Sequence, residues 1–220
     1  MAPRRNPVLA SSEVIRGVDC VVFCGEFVAM TKGRVMVNPH TGAREQLTGS
    51  VRESSGGGSG ERGVYKVKLR ASRSVTPRMR MREKYQVRGE VAQYGNGIAP
   101  TFMVTDVVES PRDVAGDLVE TPPVIISAVG IIQSVRTYQS TREGGGIVCD
   151  ITMNHRTPEL FGHGILVRYL LEDTICEIPS REIFKKGWRA WFAGDLEGIS
   201  STTGELVVKV TDGRVQSQEA

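Results

Sequence analysis

The chain has 220 residues, enough for one large domain or two small ones. Its 40% hydrophobic and 24% charged content is ordinary for a globular protein, and 25 glycines, 10 prolines and abundant valine favour strands and turns over helices. No apolar run reaches the roughly 18 residues of a membrane-crossing helix, so no membrane association is expected.

Residues 1–16 carry Arg4 and Arg5 with no acid before Glu13, a composition like that of an organellar targeting segment and suggestive of a mitochondrial matrix location. Pro3 and Pro7 interrupt the amphipathic helix such a segment uses, so a flexible terminus is expected. Cys20 and Cys24 lie four apart in a valine-rich run, which places both on one strand face. With Cys149 and Cys176 they form no CxxC pair, and His40, His155 and His163 add no ligand spacing. No metal or cofactor is therefore expected, and four reduced thiols suit a reducing compartment.

The net charge of +3 hides an asymmetry. Residues 1–115 hold 18 Lys/Arg against 11 Asp/Glu, and residues 116–220 hold 10 against 14. Between Arg62 and Arg88 stand ten basic residues and one acid, Glu83. Such a run makes a polyanion-binding surface or a merely solvated face. Its internal order favours the first reading. In YKVKLR, Tyr65, Val67 and Leu69 alternate with Lys66, Lys68 and Arg70, so a strand here buries one face and displays cations on the other. PRMRMREK repeats the alternation, setting Arg78, Arg80, Arg82 and Lys84 against Met79 and Met81. Like charges side by side repel, and phosphates would relieve that repulsion.

Three matches relate the two halves. Gly25 and Gly130 are 105 residues apart, as are Gly89 and Gly194, and Val104-Thr105-Asp106 recurs as Val210-Thr211-Asp212 at a spacing of 106. Two units follow, at 17–110 and 124–217, joined by a proline-bounded acidic linker over 111–123. The Gly/Ser stretch 53–63 reads as a long hairpin loop of the first unit, natural or engineered, without the lysine of a phosphate-binding loop. In the second unit five strands are expected over 124–139, 146–155, 163–172, 187–199 and 204–216. A short helical segment, 179–186, separates the third strand from the fourth. The fold class expected is all-β: two tandem OB-type five-stranded Greek-key barrels, each with at most one short helix.

Residues 183–216, IFKKGWRAWFAGDLEGISSTTGELVVKVTDGRVQ, carry a family resemblance. Lys185-Lys186-Gly187, an apolar strand, Gly194-Asp195-Leu196, a hairpin and a last strand from Thr211 to Val215 resemble the bacterial and mitochondrial single-stranded DNA-binding proteins. VGIIQSVR and LVRYLLE are similar to that family's first and third strands. The first unit matches only through the repeat, with Tyr85–Val91 and Thr101–Val108 as its last strands, and has Arg-Glu-Lys at 82–84 where the Lys-Lys-Gly turn would stand. The size and composition also resemble OB-fold proteins of kinetoplastid mitochondrial RNA-editing complexes, which act as RNA binders and scaffolds. The resemblance implies binding of single-stranded DNA or RNA, and oligomers with like or different OB-fold proteins.

Single strands are held by cations along the phosphates and by aromatic rings under the bases. The candidates in the first unit are Arg34, Lys66, Lys68, Arg70, Arg73, Arg80, Arg82, Lys84, Arg88 and Tyr94, the last in a loop between the final two strands. Tyr65, Tyr85, Phe23 and Phe27 have core parity. The second unit offers Arg136, Tyr138, Arg168, Arg189 and Trp191, with Trp191 as the stacking platform and Trp188 as core or barrel end. With fewer cations, this unit is expected to bind weakly or to face a protein partner. Asp106 and Asp212 are matched acids at strand ends where a turn or cap is the default, and no nucleophile or paired-carboxylate context appears, so no enzyme is expected.

Overall fold

The computed structural model describes residues 6–7, 9–11, 19–37, 42–53, 64–72, 74–75, 78–93, 98–107, 112–113, 122–141, 145–156, 164–173, 176–177 and 183–216. They are nearly all strand. The first half holds β1 (Asn6–Pro7), β2 (Leu9–Ser11), β3 (Val21–Val28), β4 (Arg34–Val37), β5 (Arg44–Glu53), β6 (Val64–Ser72), β7 (Glu83–Ala92), β8 (Thr101–Val107) and β9 (Arg112–Asp113). The second holds β10 (Ile125–Gln139), β11 (Ile147–His155), β12 (Ile165–Glu172), β13 (Cys176–Glu177), β14 (Arg189–Ile199) and β15 (Leu206–Gln216). The five strands expected in the second half are thus present with nearly the expected bounds. Residues 179–182 of the expected helical segment and the loop 54–63 lie outside the described residues.

β10, β11, β12, β15 and β14 close into a five-stranded barrel, because the long β10 pairs with β14 at one end and with β11 at the other. Its third and fifth strands, β12 and β15, run parallel, and the other pairings in the ring are antiparallel. This is the OB arrangement. The first half follows the same order: β3 pairs β7, β7 pairs β8, β8 runs parallel to β6, and β6 pairs β5. It returns to its start through the Met30 amide on the Gly49 carbonyl (2.8 Å) and the Gly49 amide on Thr31 Oγ1 (2.8 Å). The hairpin strand β4 occupies the remaining edge of β5.

The Val-Thr-Asp repeat has a structural cause. On β8 Thr105 is left over between the pairs Arg88–Asp106 and Gly89–Val104, and on β15 Thr211 is left over between Ala193–Asp212 and Gly194–Val210. Each is a β-bulge. Each spare threonine hydroxyl donates back across the bulge, Thr105 to the Arg88 carbonyl (3.3 Å) and Thr211 to the Ala193 carbonyl (3.4 Å). The glycines are required for space. A Cβ on Gly89 would lie 1.9 Å from the Met103 carbonyl oxygen, and one on Gly194 2.0 Å from that of Lys209.

Aligning the halves on these bulges makes Phe23, opposite Gly89, equivalent to Ile126, opposite Gly194. β3 and β10 pair antiparallel through those same residues, Phe23 with Ile126. A local two-fold axis therefore passes through this pair and relates the halves. The glycine match at 25 and 130 does not survive this register. Gly25 faces Val87 and Gly130 faces Ala190, two residues out of step. Gly25 accommodates Val124, whereas Gly130 makes room for the His155 ring.

Within residues 1–16, β1 runs beside β13 and β2 beside β15, and the rest of that segment lies outside the described residues. Within the expected linker, β9 pairs with β7. Cys20 precedes β3 and is buried, while Cys24 is half-exposed on that strand, so the two do not share one face.

Core burial follows the sequence parity: Phe23, Phe27, Tyr65, Val67, Leu69 and Tyr85 are all buried. In the second barrel His155 Nδ1 donates to the Val129 carbonyl (2.8 Å), so the bare Nε2 accepts from the Tyr169 hydroxyl (3.0 Å). Burial pushes the His155 imidazole down to about 4, opposed in part by the Val129 carbonyl and Asp19. The unfolded chain therefore binds the extra proton first. Stability is complete above an unfolded value near 6.5 and falls by about 3 kcal/mol as pH drops towards 4. Denaturant midpoints across that range should show the slope, and His155→Gln should flatten it. Gly194→Ala should lower stability by about 1–3 kcal/mol through backbone displacement at the bulge; an unchanged melting temperature would contradict the contact.

Candidate nucleic-acid interface

An OB barrel takes oligonucleotides on its second and third strands and the adjoining loops, which here are β5–β6 and β11–β12. On β6, Lys66 and Lys68 are exposed and pair with no carboxylate among the described residues. Arg70 is partly buried and bound to Glu45. Lys66, Lys68 and Arg70 stand opposite Val51, Gly49 and Leu47 of β5, and Leu47 in turn stands opposite Arg34 of β4. Successive cations on one strand face are about 7 Å apart, a repulsion of only about 0.6 kcal/mol per pair in water. The ladder thus forms without a ligand and stays available to one.

The other cations are dispersed. Of the expected strand over 78–84 only Glu83 and Lys84 belong to one, the start of β7; before them comes a turn, where Met81 is 47% exposed and Arg82 adopts φ 68°, the left-handed region. The Tyr85 hydroxyl pins this segment: it accepts from the Arg80 amide (2.7 Å) and donates to the Glu83 carboxylate, with the Arg78 carbonyl also within 3.1 Å. Arg80 and Arg82 therefore lie at a barrel end rather than on the ladder. Lys84 binds Glu26 (2.5 Å) and Arg88 binds Asp106 (2.8 Å), on the outer side of the β3–β7–β8 sheet. Arg73 and Tyr94 lie outside the described residues.

In the second barrel Arg136, Tyr138 and Arg168 come together on the outer face of β10–β11–β12, but the face is neutralised. Arg168 grips Asp150 with two nitrogens (2.6 and 3.3 Å), and Lys209 binds Glu172 (3.1 Å). Tyr138 is exposed, and burial of its inner part raises the phenol, with Asp150 adding to the shift. Arg189 and Trp191 are elsewhere, on β14 beside the junction. Arg189 binds Asp19 (2.5 Å), tying the two halves. Trp191 is half-buried and donates from its indole nitrogen to Ser127 Oγ (2.9 Å), so it is not a free platform. Trp188 packs on the core at the barrel end, with Lys185 over its ring.

The registers identify equivalent positions. Lys68 neighbours Thr101, and Arg168 neighbours Val207; each of these lies three residues before its bulge valine. Lys68 and Arg168 are therefore counterparts, and so are Leu47 and Asp150. The cation is common to both faces; among the described residues its counter-ion is present only in the second. Sequence reasoning missed Asp19, Glu45 and Asp150, although an acid flanked by apolar residues in IVCDITM was a visible signal.

A shallow groove of about 310 Å³ lies over the junction, lined by Val22, Cys24, Arg88, Glu90, Ile125 and Ser127. Among the described residues no group of three His, Cys, Asp or Glu is placed to hold a metal ion, and no helix is long and apolar enough to cross a membrane.

No family model and no curated protein matches the chain. Solved structures do. Wild-type single-stranded DNA binding protein from Thermus aquaticus superposes with a TM-score of 0.59 at 10% identity, covering 91% of this chain and 94% of that one. A deletion mutant of the same protein gives 0.54 at 10% identity, covering 91% and 95%. The likeness is one of fold. It spans both halves and supports an OB fold like that of the single-stranded DNA-binding proteins. Asp19→Ala should strand Arg189 at the junction and lower the denaturant midpoint by about 1–3 kcal/mol in stability, which equilibrium unfolding would measure.

Proposed function

We propose that the chain is a non-enzymatic binder of single-stranded nucleic acid, built from two tandem OB barrels and gripping its ligand mainly on the β5–β6 face of the first. The observation that carries this reading is the ladder of Lys66 and Lys68, exposed and paired with no carboxylate among the described residues, on the strand pair that OB barrels use. Arg34 extends it across β4 and β5. The Thermus aquaticus relatives of fold are, by their names, single-stranded DNA binding proteins. Phosphate contacts of this kind tolerate any base sequence and weaken with salt.

A second reading is favoured by Val22 and Ile125, 40% and 52% exposed over the junction. Large apolar side chains grouped on a sheet face suit a protein partner, as in an organising subunit that pairs with other OB-fold proteins in an RNA-processing assembly. Light scattering separates a monomer from a self-assembled form.

Fluorescence anisotropy with oligo-dT, oligo-rU and a duplex of equal length tests the first reading. Single strands should bind best. Lys66→Glu with Lys68→Glu should weaken binding at least tenfold and reduce the log–log salt slope by about 1.4, at about 0.7 per phosphate on a single strand. Equal binding by the charge-reversed variant would exclude the β5–β6 face.

A further inference from the structure

We infer that Asp150 is an internal substitute for phosphate, and that it keeps the outer face of β10–β11–β12 from engaging nucleic acid. The inference rests on the binding function proposed above and identifies a latent second site of the same chemistry.

The halves serve as each other's control. At equivalent places on the second and third strands stand Lys68 and Arg168, and diagonally across from them Leu47 and Asp150. A leucine leaves the lysine's charge to solvent. The carboxylate takes the guanidinium by two parallel hydrogen bonds, at 2.6 and 3.3 Å, in the fork geometry that an arginine offers to phosphate. Asp150 is 7% exposed and Arg168 is about one-third exposed, so the donor edge that a phosphate would use is already occupied.

The remainder of this face is fit for a single strand. Arg136 stands opposite Asp150 on β10 and is exposed. Tyr138, two residues on, presents an exposed ring for a base to stack on. Leu166 and Asn154 complete an open surface at the far end of the same two strands. Cation, aromatic and open strand pair are present together; what a polyanion lacks there is the Arg168 guanidinium, already taken by the Asp150 carboxylate. Removing that single charge should expose two arginines and a ring as a binding surface.

The test is anisotropy of labelled oligo-dT against salt for the full chain and for Asp150→Asn, Asp150→Leu and each combined with Arg168→Ala. Asp150→Leu installs the residue of the first half's equivalent site, and Asp150→Asn keeps the shape if leucine disturbs folding. Removal of the carboxylate should tighten binding several-fold at low salt and steepen the slope by about 0.7 for each phosphate gained. The same change in the Arg168→Ala background should add no more than its small effect on overall charge. A merely structural ion pair predicts a lower melting temperature with no gain in affinity, and that outcome overturns the inference. So does an equal gain without Arg168. If the unaltered chain fails to bind single strands, the first-barrel function falls; a strand bound by Asp150→Asn alone would still establish the latent site.

Discussion

The antiparallel pairing of β3 with β10 is the interaction on which the rest of the structure depends. Each is the first strand of its own ring, and each has its other edge in that ring. Left apart, the two strands would present unpaired backbone amides and carbonyls, the liability of any open sheet edge. Joined, they make one sheet from β11 to β4 and a single hydrophobic core that runs through both halves. The axis through Phe23 and Ile126 relates β5–β6 of the first half to β11–β12 of the second. Asp19 completes the junction by holding Arg189 and by accepting the Arg156 amide on its carbonyl.

Because the halves share one ring pattern, their differences are informative. The bulges at Thr105 and Thr211 are constructed alike down to the returning hydroxyl, which shows that the local geometry is held while the outer surface varies. On that surface an ion pair replaces a free cation. A charge that is half-buried and bound to its partner contributes little to long-range attraction, since the pair has no net charge. The asymmetry in formal charge along the chain thus becomes an asymmetry in accessible charge between two otherwise equivalent faces.

Much of the fold was legible in the sequence because strands have a period of two. YKVKLR alternated cleanly and formed a strand with its apolar side buried, and the second half's five strands stood where their apolar runs stood. The same rule misled at 78–84. There the alternation was of arginine and methionine around a turn, and a positive φ at Arg82 with hydrogen bonds to the Tyr85 hydroxyl ended the extended backbone. Trp191 was legible as a side chain opposite in parity to Phe192. That its ring would lie beside Ser127, on the junction, depended on a strand 64 residues away in the chain.

The sequence by itself determined the all-β class, the identity of the core side chains and the cationic alternation on β6. All of these rest on local periodicity or on residue type. Only the tertiary structure decided which cations are free. Ion pairs such as Arg70–Glu45, Arg88–Asp106, Arg168–Asp150 and Arg189–Asp19 join residues on different strands, and register across a sheet cannot be read from either strand alone. The true repeat alignment was likewise tertiary: the connections between strands differ in length in the two halves, so equivalent residues in the ring need not stand at one constant separation in the chain.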